Sequence, residues 1–161
     1  MPENDLWRYS LDIYKNEINA QACLELQDCC NANVNLLFFY AWIARRHNRL
    51  IDPKICRYVD IEISGLVENL VLPLRNVRSK IMKESTEPGL SELRRKVLDL
   101  EVDAEKIIQA RLFEMTDHIL SLAQKSDTSI ADTVRCNLEV YETFLGTVFP
   151  EAAMNRLVYS C

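Results

Sequence analysis

The stretch Asn33-Val34-Asn35-Leu36-Leu37-Phe38-Phe39-Tyr40-Ala41-Trp42-Ile43-Ala44 decides the fold. Two asparagines open it, and from Leu36 the run is apolar to Ala44. On a helix of about 100° per residue, its large side chains spread right round the axis. A helix apolar on every side has to be covered on every side, by protein or by lipid. Lipid is excluded by length, because spanning a bilayer takes roughly 20 apolar residues and this run is about half that. The stretch therefore reads as the central helix, about 33–45, of an all-α domain. Asn33 is a good N-cap for it, and Arg45-Arg46-His47-Asn48-Arg49 places cations at the negative end of its dipole.

The rest of the chain supplies helices to surround it. With 161 residues it suits one all-helical domain, 1–161, with a real core. Three glycines and five prolines leave too little turn material for a strand-rich fold. A first short helix runs from Leu6 to Tyr14, with Trp7, Leu11 and Tyr14 on one face. A second runs from about Ala20 to Cys30, with Cys23, Leu24 and Gln27 on one side. Beyond the central helix, Asp52-Pro53 is a strong helix start, an Asp cap followed by Pro at the first helical position. The stripe Ile55, Val59, Ile63, Leu66, Leu70 follows, and Pro73 has to bend or interrupt this helix, about 53–83, because it lacks an N–H and crowds the preceding turn.

Glu84-Ser85-Thr86-Glu87-Pro88-Gly89 reads as a loop, and 90–125 as one long helix. The long helix carries Leu93, Val97, Leu100, Ala104, Ile108, Leu112, Met115, Ile119 and Leu122 at a mean spacing of about 3.6, the period of a straight helix. A last long helix presents Ile130, Val134, Leu138, Tyr141 and Leu145, with Gly146 as its stop. Pro150 opens a short one over Glu151–Tyr159. The expectation is a bundle of six to seven helices.

Function is less legible. The net charge of −5 argues against non-specific nucleic-acid binding. Six cysteines, none in a C-x-x-C pair, and an acidic, polar start at Met1-Pro2-Glu3-Asn4-Asp5 point to a cytoplasmic chain with free thiols. The adjacent Cys29 and Cys30 lack further ligands at metal spacing. With His47 and His118 as the only histidines, no catalytic triad, phosphate loop or zinc motif can be assembled, and neither catalytic residues, metal ligands nor a cofactor are assigned. Asp99 and Asp103 resemble a diphosphate–magnesium pair in spacing. They fall at about 240° and 280° when the apolar stripe centres near 45°, so they read as a solvated acidic face.

Glu101 is the exception. At about 80° it lies inside the apolar stripe, where a carboxylate has to be paired. Arg75 and Arg78, after Pro73, are the candidate partners, with Arg111 and His118 at the edge of the same stripe. The cluster Arg75, Arg78, Glu101 is either an ion pair tying two helices or a pocket for an anionic ligand. Asn35 reads as a first-turn residue that satisfies free N–H groups.

Leu6-Trp7-Arg8-Tyr9-Ser10-Leu11 with Tyr14, then Cys23-Leu24-Glu25-Leu26-Gln27-Asp28, and Val34-Asn35-Leu36-Leu37 with Trp42, resemble a family of small uncharacterised proteobacterial proteins. Pro73-Leu74-Arg75 with Arg78 is similar to a later segment of that family. The resemblance implies a cytosolic bacterial helical protein and no particular activity. It adds Gln27, Asp28 and Asn35 to Arg75 and Arg78 as polar positions of interest. The leading expectation is a non-catalytic protein acting through a protein partner or as a homo-oligomer, with no nucleic acid and no membrane. The alternative is an enzyme or small-ligand binder using Arg75, Arg78 and Glu101.

Overall fold

In a computed structural model, which describes residues 3–81 and 85–160, the chain is an all-α bundle with one two-residue ladder. The helices are α1 (Asp5–Tyr14), α2 (Glu17–Cys30), α3 (Val34–His47), α4 (Pro53–Leu66), α5 (Leu72–Lys80), α6 (Leu90–Glu114), α7 (Thr116–Leu122), α8 (Ile130–Leu145) and α9 (Glu151–Tyr159). Strands β1 (Arg49–Leu50) and β2 (Gln124–Lys125) pair antiparallel, Arg49 opposite Lys125. Helix α4 runs through a π turn, Val67–Val71, into α5, and α6 bends into α7, so the described helices form seven rods. Glu84 and Cys161 lie outside the described residues, as do Met1 and Pro2.

Helix α3 is the centre. Every residue from Asn35 to Ala44 is buried. Asn33 caps it by accepting from the Asn35 N–H at 3.0 Å, and Asn48, in the left-handed region at φ 51°, ends it. Its broadest contact is with α8, while α1, α2 and α6 cover its other sides. Arg45 does more than face a dipole. It donates to Tyr9 Oη at 3.1 Å and to the Val158 carbonyl at 2.6 Å, tying α1 and the end of α9 to α3.

Local chemistry sets most boundaries. Asp52 accepts from the Ile55 N–H at 2.8 Å, and Pro53 starts α4. At Pro73 the helix is not broken. The Leu72 N–H reaches back five residues to the Val67 carbonyl, and this widened turn takes up the strain of a proline that can neither donate nor fit a tight turn. Gly146, at φ 68°, terminates α8.

Three expectations need correction. The 90–125 helix stops at Leu122, and Gln124–Lys125 is strand, because Asn48 turns the chain so that β1 captures it; the Ser126 N–H donates to the Asn48 carbonyl at 2.9 Å. The rod bends at Met115. On α6, Leu93 and Leu100 are exposed, as is Leu122 on α7, while Glu101 and Gln109 are buried; the core-facing line is Val97, Glu101, Ala104, Ile108, Leu112. The 53–83 helix ends at Lys80, and Val71 replaces the exposed Leu70 in the core.

Candidate functional site

The faces predicted for the first two helices are covered only in part: Trp7 and Cys23 are buried, and their predicted companions are not. On α1 the buried residues are Leu6, Trp7, Ser10 and Ile13, and on α2 they are Ala22, Cys23, Leu26 and Cys30. Leu11, Tyr14 and Leu24 are exposed. They line a cleft of about 210 Å³ whose far wall is α5 and α6 and whose floor is Val34, Asn35 and Phe38 of α3. Trp7, Leu98 and Val102 complete a mostly apolar lining. Tyr14 meets Phe38 edge-on, ring centres 6.2 Å apart.

The polar side of the cleft holds the cluster expected from the sequence. Glu101, 4% exposed, accepts from Arg75 Nε at 3.0 Å and Arg78 Nη2 at 3.2 Å through Oε1, and from Arg78 Nε at 2.5 Å through Oε2. Arg75 Nη2 also donates to Glu105 at 3.3 Å. The two arginines sit one turn apart on α5, and the two glutamates one turn apart on α6. The pairing therefore follows from one helix-to-helix contact, and the π turn before Pro73 keeps α5 against α6.

The carboxylates respond in opposite directions. Burial by itself raises the Glu101 carboxyl, but hydrogen bonds and charge from Arg78 and Arg75 outweigh it and hold the group below the usual carboxylate range. Glu105 has only the longer Arg75 contact, and there burial wins and pushes its carboxyl up. The cluster thus holds two firm cations, one firm anion and one carboxylate that resists ionising.

A second polar element lay hidden from sequence reasoning. Ser10 of α1 bonds Gln109 of α6 at 3.0 Å, and Gln109 donates to Asn35 of α3 at 3.0 Å. All three are buried, and all three line the cleft. Asn35 therefore serves an inter-helix chain of amides, while Asn33 satisfies the first turn of α3. The visible signal was Gln109, a polar residue near a helix face that also carries Ile108 and Leu112.

Other candidates lie apart from the cleft. Arg111 reaches Glu114 at 4.0 Å, and His118 sits edge-on to Tyr58. Asp99 and Asp103 are exposed and meet Arg95 at 3.3 Å and Lys106 at 3.4 Å. Among the described residues no group of three or more His, Cys, Asp or Glu side chains is arranged to hold a metal, and no helix is long and apolar enough to cross a membrane. Of the polar positions raised by the resemblance, Gln27, Asn35, Arg75 and Arg78 line the cleft, and Asp28 does not.

The match to a known family spans residues 5–112, from the start of α1 almost to the end of α6. The chain belongs to the family described as "Protein of unknown function (DUF2390)". Every residue lining the cleft falls inside the DUF2390 match, whereas α8 and α9 fall outside it. No curated protein and no solved structure matches the chain.

Proposed function

We propose that this protein binds a small, mainly apolar ligand with one anionic group, using the cleft between α1, α2, α5 and α6. The observation that carries the reading is a preformed, mostly apolar hollow with the charges of Arg75, Arg78, Glu101 and Glu105 on its α5–α6 wall. Binding sites for small molecules have this construction: apolar walls for affinity and a few placed polar groups for orientation. An anionic head group has a place to go. Glu101 neutralises one of the two cations, and Glu105 holds Arg75 through a single 3.3 Å contact while its carboxyl is pushed toward the neutral form. A ligand carboxylate replaces Glu105 on Arg75, and Glu105 takes up a proton or turns to water. The apolar body then lies against Leu11, Leu24, Phe38 and Leu98. Binding of this kind needs no covalent step. A cytoplasmic setting fits the free thiols Cys23, Cys29, Cys30, Cys56 and Cys136.

The test is calorimetric titration with octanoate and with octanol. Octanoate is expected to bind one per chain and more tightly than the alcohol, and Leu24→Asp, at the half-exposed rim, should abolish binding without unfolding the protein. Equal binding of both molecules would remove the anionic component. Binding that survives Leu24→Asp, or no binding of either, would remove the cleft. A second reading, contact with another protein chain, is favoured by a separate feature on α6.

A further inference from the structure

Helix α6 exposes three large apolar residues at a seven-residue spacing: Leu93 at 48%, Leu100 at 55% and Ile107 at 44%. Their inward neighbours Val97 and Ala104 are buried. At about 1.5 Å rise per residue, the three form a line about 21 Å long. A seven-residue apolar line is the seam a second helix packs on.

We propose that two copies of this chain associate by pairing α6 antiparallel along that line, with the two-fold axis near Leu100. The charges beside the seam select both the partner and its direction. Taking Leu93 as zero, the line drifts from 0° to about 320°, and Lys96 and Asp103 lie on its one charged flank at about 300° and 280°. In an antiparallel pair, like flanks of the two helices meet. Position 96 then faces position 103 or 104, so Lys96 meets Asp103 of the partner subunit, and symmetry repeats the contact. A parallel pair would turn this flank toward the opposite flank of the partner helix, where Val97 and Ala104 are buried, and would leave Lys96 and Asp103 without that match.

The isolated chain leaves these side chains available. Lys96 pairs with Glu92 at 2.9 Å and Asp103 with Lys106 at 3.4 Å, all within α6, and Lys96 and Asp103 are themselves largely in water. Such exposed pairs are worth little and exchange readily. Asp99 lies further round the helix, where its own Arg95 neutralises it at 3.3 Å, so the two copies of Asp99 do not oppose pairing. The contact is modest in size. Half of three large side chains per copy, with their flanks, amounts to on the order of 1,000 Å² in total, the low end for specific association. The dimer is therefore concentration-dependent, with dissociation in the micromolar range. The cleft residues Leu98 and Glu105 lie about 140° to 180° round from the seam, so pairing leaves both clefts open.

Sedimentation velocity on the full chain, from about 1 to about 500 µM, tests this. A reversible monomer–dimer equilibrium is expected. Leu100→Glu should weaken it at least tenfold while leaving the circular dichroism spectrum unchanged, because Leu100 is half in water. Lys96→Glu should weaken it as well, and Lys96→Glu combined with Asp103→Lys should restore it. A monomer throughout the range, a dimer indifferent to Leu100→Glu, or a double swap weaker than the single one would each overturn the proposal. None of these outcomes bears on octanoate binding in the cleft.

Discussion

Glu101→Gln changes almost nothing in shape and removes the charge on which α5 and α6 converge. In the native protein three guanidinium N–H groups aim at its two carboxylate oxygens. Gln offers one oxygen and one NH₂, so at least one N–H is set against another. Breaking a buried ion pair by deleting one partner costs about 3–5 kcal/mol. Two features reduce that here. The arginine side chains are 27% and 24% exposed, so water takes up part of their charge, and Arg75 keeps Glu105. The expected loss is about 2–3 kcal/mol, which for a chain of this length lowers Tm by about 5–10 °C. Urea unfolding at neutral pH measures it without the screening that guanidinium brings.

The pH dependence adds a second reading of the same contact. The Glu101 carboxyl is lowered in the folded state. The stability it contributes is therefore fully present above the ordinary carboxylate range and is lost as pH falls through its folded value. Glu105 has the opposite sign: its raised carboxyl favours the folded state when protonated and loses that contribution as pH rises through its folded value. Glu105 is present in both proteins and largely cancels in their difference. The gap between wild type and Glu101→Gln should thus narrow in acid. A loss under about 0.5 kcal/mol at neutral pH, or a gap that stays constant into acid, would refute the claim that ionised Glu101 ties α5 to α6.

Two further outcomes follow from the core. Phe39 is fully buried in the middle of α3, so Phe39→Ala should cost about 3–5 kcal/mol by equilibrium unfolding; Phe38→Asp, beside the cleft, should disrupt less than Phe39→Asp, a ranking that melting temperatures check. Asn137, fully buried on α8, donates to the Tyr40 and Arg49 carbonyls at 3.1 and 3.0 Å and accepts from the Ile51 N–H at 3.0 Å. Asn137→Leu takes the acceptor from the Ile51 N–H, at about 1–3 kcal/mol where water cannot reach it, and should raise hydrogen exchange selectively at Ile51.

The legible part of this protein was local. Asn33, Asp52-Pro53 and Gly146 mark helix ends through contacts spanning only a few residues, so the chain states them directly. The Asn33–Ala44 run is apolar on all sides, and this alone requires a surrounding bundle. Glu101 stood out because a carboxylate inside an apolar stripe has to find cations, and Arg75 and Arg78 were the ones placed near a second stripe. The tertiary structure decided everything that depends on whether an apolar face is covered. Periodicity groups Leu11 and Tyr14 with Trp7, and Leu24 with Cys23, yet Trp7 and Cys23 are buried while Leu11, Tyr14 and Leu24 line the cleft. It likewise puts Leu93 and Leu100 in line with Val97 and Ala104, which only the position of α4 and α5 separates into seam and core. The chain from Ser10 through Gln109 to Asn35 joins three helices across 99 and 74 residues of sequence, and no spacing rule reaches that far. An amphipathic pattern records that a face avoids water; what covers that face is set by the other helices.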